Sequence, residues 1–82
     1  MKEEPKYIGT ISNKTLRDYV LDNNLSNEHK ILLHPNNFDD IVLEYRDLYK
    51  KSIPDPYYIF ETLIDESPNG LVPADKILVK KV

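Results

Sequence analysis

Eighty-two residues with no cysteine, two histidines and two glycines leave room for one small domain and exclude a disulfide scaffold. A net charge of -3 offers no broad basic field for counterion-driven binding, so no nucleic-acid partner is expected. No apolar run approaches the ~20 residues that span a bilayer, and the stretch Met1 to Lys6 lacks the apolar segment of a secretion signal, so the chain reads as cytoplasmic or virion-resident, not secreted, with no membrane partner.

In chain order, Tyr7-Ile8-Gly9-Thr10-Ile11 reads as a short strand or extended arm with Gly9 as a bulge, and residues 1–6 are expected to fray. Ser12 is placed to cap a helix from Asn13 to Asp22 that turns Leu16, Tyr19, Val20 and Leu21 inward. Asn23-Asn24 tolerate the left-handed backbone that stops it, and Leu25 then packs back. The unbroken run Ile31-Leu32-Leu33 predicts a strand from Lys30 to His34 that is covered on both faces.

After Pro35, Asn36 or Asn37 is expected to cap a second helix, with Asp39 and Asp40 in its first turn against the positive end of the dipole. Phe38, Ile41, Val42, Tyr45, Leu48 and Tyr49 recur at helical spacing, which predicts one core-facing stripe, and Lys50-Lys51 fall at the negative end. Pro54 and Pro56 make a stiff elbow. Tyr57 to Ile64 has strand composition on both sides and reads as one strand. A turn over Asp65 to Gly70 and the connection Leu71-Val72-Pro73 lead to a last strand, Lys76 to Val82, expected to pair with it as a long-looped hairpin.

The expected fold is therefore α+β: a single domain over residues 1–82, with a small, mostly antiparallel sheet packed by one or two helices in the order (β)αβαββ. Folding a chain this short buries only roughly 60% of the unfolded surface, so a homo-oligomer or a place in a larger assembly would supplement the core.

The chemistry-bearing residues are sparse. His29 and His34 are an odd number apart, which points them to opposite faces of a strand, and no further ligand set accompanies them. No metal or other cofactor is expected, and His34 is instead suited to fixing the strand-to-helix corner through a ring hydrogen bond. Ser12, Ser26, Ser52 and Ser67 all lie beside cap or turn residues rather than in a nucleophile setting. The expectation is a protein that is not an enzyme.

Partner contacts are read onto two groups of residues. Asp40, Glu44 and Asp47 give the second helix an acidic surface, suited to its dipole, to solvent, or to a basic partner. Tyr57 and Tyr58 point to opposite sides of their strand, so one ring is left for a surface. Leu43 falls on the far side of the helix from the apolar stripe, where the monomer's own core cannot use it.

The run Leu33-His34-Pro35-Asn36-Asn37-Phe38, a helix, the strand from Tyr58 to Ile64, a polar turn and Leu71-Val72-Pro73 before a last strand resemble the C-terminal portion of tailed-phage major capsid proteins over residues 31–80. The chain departs from that family in lacking the long spine helix and extended loop, and no glycine opens the Tyr58 strand. The resemblance implies a small phage-associated module that packs by surface contacts. The function expected is a non-enzymatic structural or protein–protein interaction module that assembles with itself or a larger protein, with a phage or mobile-element setting implied by the resemblance. The alternative is an acidic inhibitor or adaptor that occupies a basic site on a host enzyme or nucleic-acid-binding protein.

Overall fold

The Ser12 hydroxyl accepts the backbone N–H of Thr15, and the Thr15 hydroxyl accepts the backbone N–H of Ser12 at 2.8 Å. This reciprocal cap satisfies two amides that helix geometry leaves unpaired and fixes the start of α1 (Asn13–Asp22) where expected. In the computed structural model, which describes residues 4–68 and 70–81, Leu16 and Val20 of α1 are buried and Tyr19 packs beside them. Leu21 is exposed rather than inward, because one residue beyond Val20 the helix has rotated by about 100°. Asn24, at φ 53, ends the turn, and the Leu25 N–H donates to the Val20 carbonyl as Leu25 closes onto the core.

β1 (His29–Leu33) leads directly into α2 (Pro35–Tyr49). The N-cap of α2 is His34, not Asn36 or Asn37. The His34 Nδ1 accepts the Asn36 N–H at 3.1 Å, and Pro35 occupies the first helical position, where its missing donor costs nothing. Starting the helix at Pro35 moves Asp39 and Asp40 out of the first turn. It also frees Asn37 for a buried role: its Oδ1 accepts the Asp75 N–H at 2.7 Å, tying α2 to the loop before the last strand. At the other end Lys50 adopts φ 57 and its N–H donates to the Arg46 carbonyl, so Lys50 is the cap itself and Arg46 is the basic residue of the last turn.

Residues 57–64 are not one strand. They form β2 (Tyr57–Ile59) and β3 (Thr62–Glu66), folded back on each other across Phe60-Glu61, with Ile59 opposite Thr62. Phe60 makes the turn at φ 55, a region that bulky side chains rarely adopt. The reversal puts Tyr57, Ile59, Thr62 and Ile64 on the helix-covered face, where a continuous strand would have split them between two.

β4 (Ile77–Lys81) does not pair with β3. The sheet order is β2-β3-β1-β4, with β1 parallel to β3 and antiparallel to β4. The result is an α+β fold with two helices and a four-stranded mixed sheet, antiparallel in two of its three pairings. Parallel pairing needs a crossover between the strands, and α2 with the proline elbow supplies it. The arm over residues 7–11 contributes no named strand. Lys6, within the segment expected to fray, pairs with Ile77 through two backbone hydrogen bonds of 2.7 and 2.9 Å. Residues 1–3 of that segment lie outside the described residues, as do Asn69 of the expected turn and Val82 of the expected last strand.

Both faces of β1 are covered. Ile31 and Leu33, with Ile64 and Ile77 beside them, are fully buried under Leu16, Val20 and Ile41 of the helices. Leu32 packs on the reverse face with Leu78 and with Val72 from the loop, which forms a small second cluster. No helix among the described residues is long and apolar enough to cross a membrane.

Candidate docking cleft

Three elements meet at one end of the molecule: the first turns of α1, the last turns of α2 and the β2–β3 turn. Asn13 holds them together. Its backbone N–H and its side-chain Nδ2 both donate to Glu44 Oε1 at 2.7 Å, and its Oδ1 accepts the Tyr57 hydroxyl at 2.6 Å. α1 has no acidic residue in its own first turn, so a carboxylate from α2 compensates the positive end of its dipole. Tyr57 stacks edge-on against Tyr45 with ring centroids 5.7 Å apart, and Tyr45 meets Tyr49 at 4.5 Å. Burial pushes the Tyr57 phenol up to about 12, with Tyr45 and Tyr49 adding to the effect and Arg17 opposing it.

Beside this network lies an open cleft of about 230 Å³. Its lining includes Leu48, Tyr49 and Phe60, which are 62%, 53% and 57% exposed, so it gathers apolar side chains that the monomer leaves in water. Lys14 and Arg17 of α1 form the cationic side. Lys14 is paired with Asp18 at 3.1 Å on the surface, whereas Arg17 has no ion-pair partner among the described residues. A wider hollow of about 370 Å³ runs along the proline elbow between Phe38, Ile53 and Leu63, but it lacks this concentration of exposed aromatic rings.

The residues singled out from the sequence divide between two places. Tyr57, Tyr58 and Glu44 border the cleft. Tyr57 is half-buried in the Asn13 network, and Tyr58 is the exposed member of the pair, its ring sent to the opposite sheet face by strand alternation. Glu44 is turned toward α1, and the carboxylate oxygen that Asn13 contacts is used internally. Leu43, Asp40 and Asp47 lie on the outer flank of α2, all exposed, and Asp40 also borders a shallow hollow with Tyr7, Thr10 and Asp75.

Sequence reasoning missed Leu48 and Tyr49, which it assigned to the core stripe, and Phe60, which it assigned to a strand. For the helix a signal existed: α2 has 15 residues and is about 22 Å long, while the five residues of β1 span about 17 Å, so an end must overhang. For Phe60 there was none, since the turn carries no glycine, asparagine or aspartate.

His29 and His34 each accept a local backbone N–H on Nδ1, from Ser26 and Asn36 respectively. No group of three or more metal-ligating side chains is assembled among the described residues. Comparison with protein-family models, with curated proteins and with solved structures finds no match.

Proposed function

We propose that this chain is a non-enzymatic protein-docking module and that the cleft between α1, α2 and the β2–β3 turn is its docking surface. One observation carries the reading: Phe60 is a large aromatic side chain held at φ 55 and left 57% exposed, beside the equally unburied Leu48 and Tyr49. A left-handed backbone costs a bulky residue about 1–2 kcal/mol, and in the monomer the ring recovers little of that through burial. Strain of this kind concentrates where a side chain is presented to a partner. Aromatic residues with an arginine beside them also match the composition of interface centres.

The partner is a protein segment with an apolar anchor flanked by carboxylates, which fits the rings and Arg17 together. The resemblance of residues 31–80 to capsid proteins extends this reading to a virion-associated or mobile-element setting, in which the chain assembles with itself or with a larger structural protein. Panning a random peptide display library on the immobilised chain tests it. Selected peptides are expected to share an anchor of that kind and to lose binding to a Leu48→Ser, Phe60→Ser variant that still unfolds cooperatively. Peptides that bind this variant as well as the parent would reject the cleft.

A second reading draws on the outer flank of α2, where Asp39, Asp40 and Asp47 are exposed and in no ion pair with a described residue. There the chain acts as an acidic adaptor on a basic site. Replacing Asp40 and Asp47 by Asn should weaken such binding and flatten its salt dependence, and unchanged binding ends that reading.

A further inference from the structure

The outer flank of α2 carries one exposed apolar side chain, Leu43, which is 55% accessible on a helix whose buried stripe faces the other way. Asp39, Asp40 and Asp47 stand four residues before, three before and four after it, so they surround it on the same helix face. None of these carboxylates has an ion-pair partner among the described residues. The flank is thus a leucine bordered by three unpaired carboxylates and, three residues on, by Arg46, with negative charge in excess.

The cleft has the opposite character. Leu48, Tyr49 and Phe60 offer apolar area, and Arg17 is an unpaired cation at their edge. The one acid in its lining, Glu44, is engaged with Asn13. An apolar knob flanked mainly by acids and an apolar socket edged by a guanidinium complement each other in charge, and both lie on the same 82-residue chain. Resting on the docking reading of the cleft, we infer that its occupant is a second copy of this chain, which inserts Leu43 while Asp40 and Asp47 approach Arg17.

Each copy carries both halves of the contact. Association closes as a pair if the rotation between copies allows both halves to engage, and otherwise continues as a ring or an open series. A contact centred on one leucine and one guanidinium is expected to give a micromolar or weaker association that added salt loosens.

Sedimentation velocity and light scattering on the full chain, from micromolar to millimolar concentration, provide the test. The wild-type chain is expected to associate with concentration and to dissociate as ionic strength rises. Leu43→Asp, which breaks the knob, and Arg17→Glu, which breaks the socket, should each weaken self-association by about tenfold or more, a loss of about 1.4 kcal/mol. Both positions are exposed, so their urea midpoints should match the parent, which separates a docking defect from a folding defect.

Mixing the two variants is the decisive arm. The Leu43→Asp chain keeps its socket and the Arg17→Glu chain keeps its knob, so the mixture should associate more tightly than either variant alone. A wild-type chain that stays monomeric at every concentration, or a mixture no tighter than its components, overturns the second copy as occupant. If the cleft of such a monomeric chain still selects anchored acidic peptides, the docking reading stands and the occupant is a different protein. If it selects none, both fall.

Discussion

Removing the Glu44 carboxylate should destabilise the fold far more than removing any acid on the outer flank of the same helix. In Glu44→Ala, the Asn13 backbone N–H and side-chain Nδ2 both lose a partner that stood at 2.7 Å, and the first turn of α1 loses its compensating charge. Hydrogen bonds to a charged group contribute about 1.5–3 kcal/mol, and a carboxylate at a helix start adds roughly 0.3–1 kcal/mol. Glu44 is only half-buried, so water replaces part of both, and the expected loss is about 2 kcal/mol. A chain of 82 residues has a total stability of roughly 4–12 kcal/mol, so the effect is large. It should lower the melting temperature by roughly 10 °C. Urea denaturation followed by far-ultraviolet circular dichroism measures it, with Asp47→Ala as the control expected within about 0.5 kcal/mol of the parent. Glu44→Gln keeps a neutral acceptor and should lose about half as much, and a cycle with Asn13→Ala should show coupling of about 1 kcal/mol. If Glu44→Ala and Asp47→Ala are equally mild, the Asn13 network does not hold the three elements together.

Other expectations follow from the same residues. The folded Tyr57 phenol holds its proton up to about 12, above the unfolded value of 10.0, so its contribution to stability is complete below pH 10 and is lost as pH rises through 12. Titrating stability from pH 8 upward should therefore show a smaller alkaline loss in Tyr57→Phe than in the parent, and parallel curves would refute the assignment. Ser12→Ala removes one half of the reciprocal cap and should cost about 1 kcal/mol by urea midpoint, with Thr15→Ala similar and the double variant less than additive. Phe60→Asn replaces a strained aromatic with a residue that tolerates φ 55, and should stabilise the monomer by roughly 1 kcal/mol while weakening peptide binding at the cleft. Destabilisation by that change would mean that Phe60 packs inside the molecule after all.

The parts of this architecture that could be read from the sequence are those specified within a few residues. Ser12 with Thr15, the left-handed stop near Asn24, the stripe through Ile41 and the apolar run of β1 all announce themselves by local chemistry. The α+β class followed from them. What was misread depended on partners distant in sequence or on backbone geometry that composition does not encode. Nothing in residues 57–64 marks Phe60 as a turn, because six of the eight residues, all but Glu61 and Leu63, are of strand-favouring types, so the reversal is imposed by the burial of Ile59, Thr62 and Ile64 on one face. The pairing of β4 with β1 rather than β3 is a long-range choice, made where the fully buried Ile77 meets Leu33.

The candidate cleft was half legible for the same reason. Tyr57, Tyr58 and Glu44 stood out as residue types, but the network that turns Glu44 inward needs α1 and α2 side by side. Leu48 and Tyr49 fitted the helical period as well as Ile41 does, and periodicity says which side faces the core without saying where the core ends.

The central place of β1 has a consequence for how this molecule is made. Its two neighbours, β3 and β4, both come from the far half of the chain, beginning at Thr62 and Ile77. While the ribosome extends the polypeptide, the greasy segment Ile31-Leu32-Leu33 emerges with both of its hydrogen-bonding edges bare, and neither partner strand exists until about thirty further residues have been added. Chains that stop short of Thr62 would carry that segment with nothing to zip it shut, so premature termination should yield aggregates rather than a shorter folded protein.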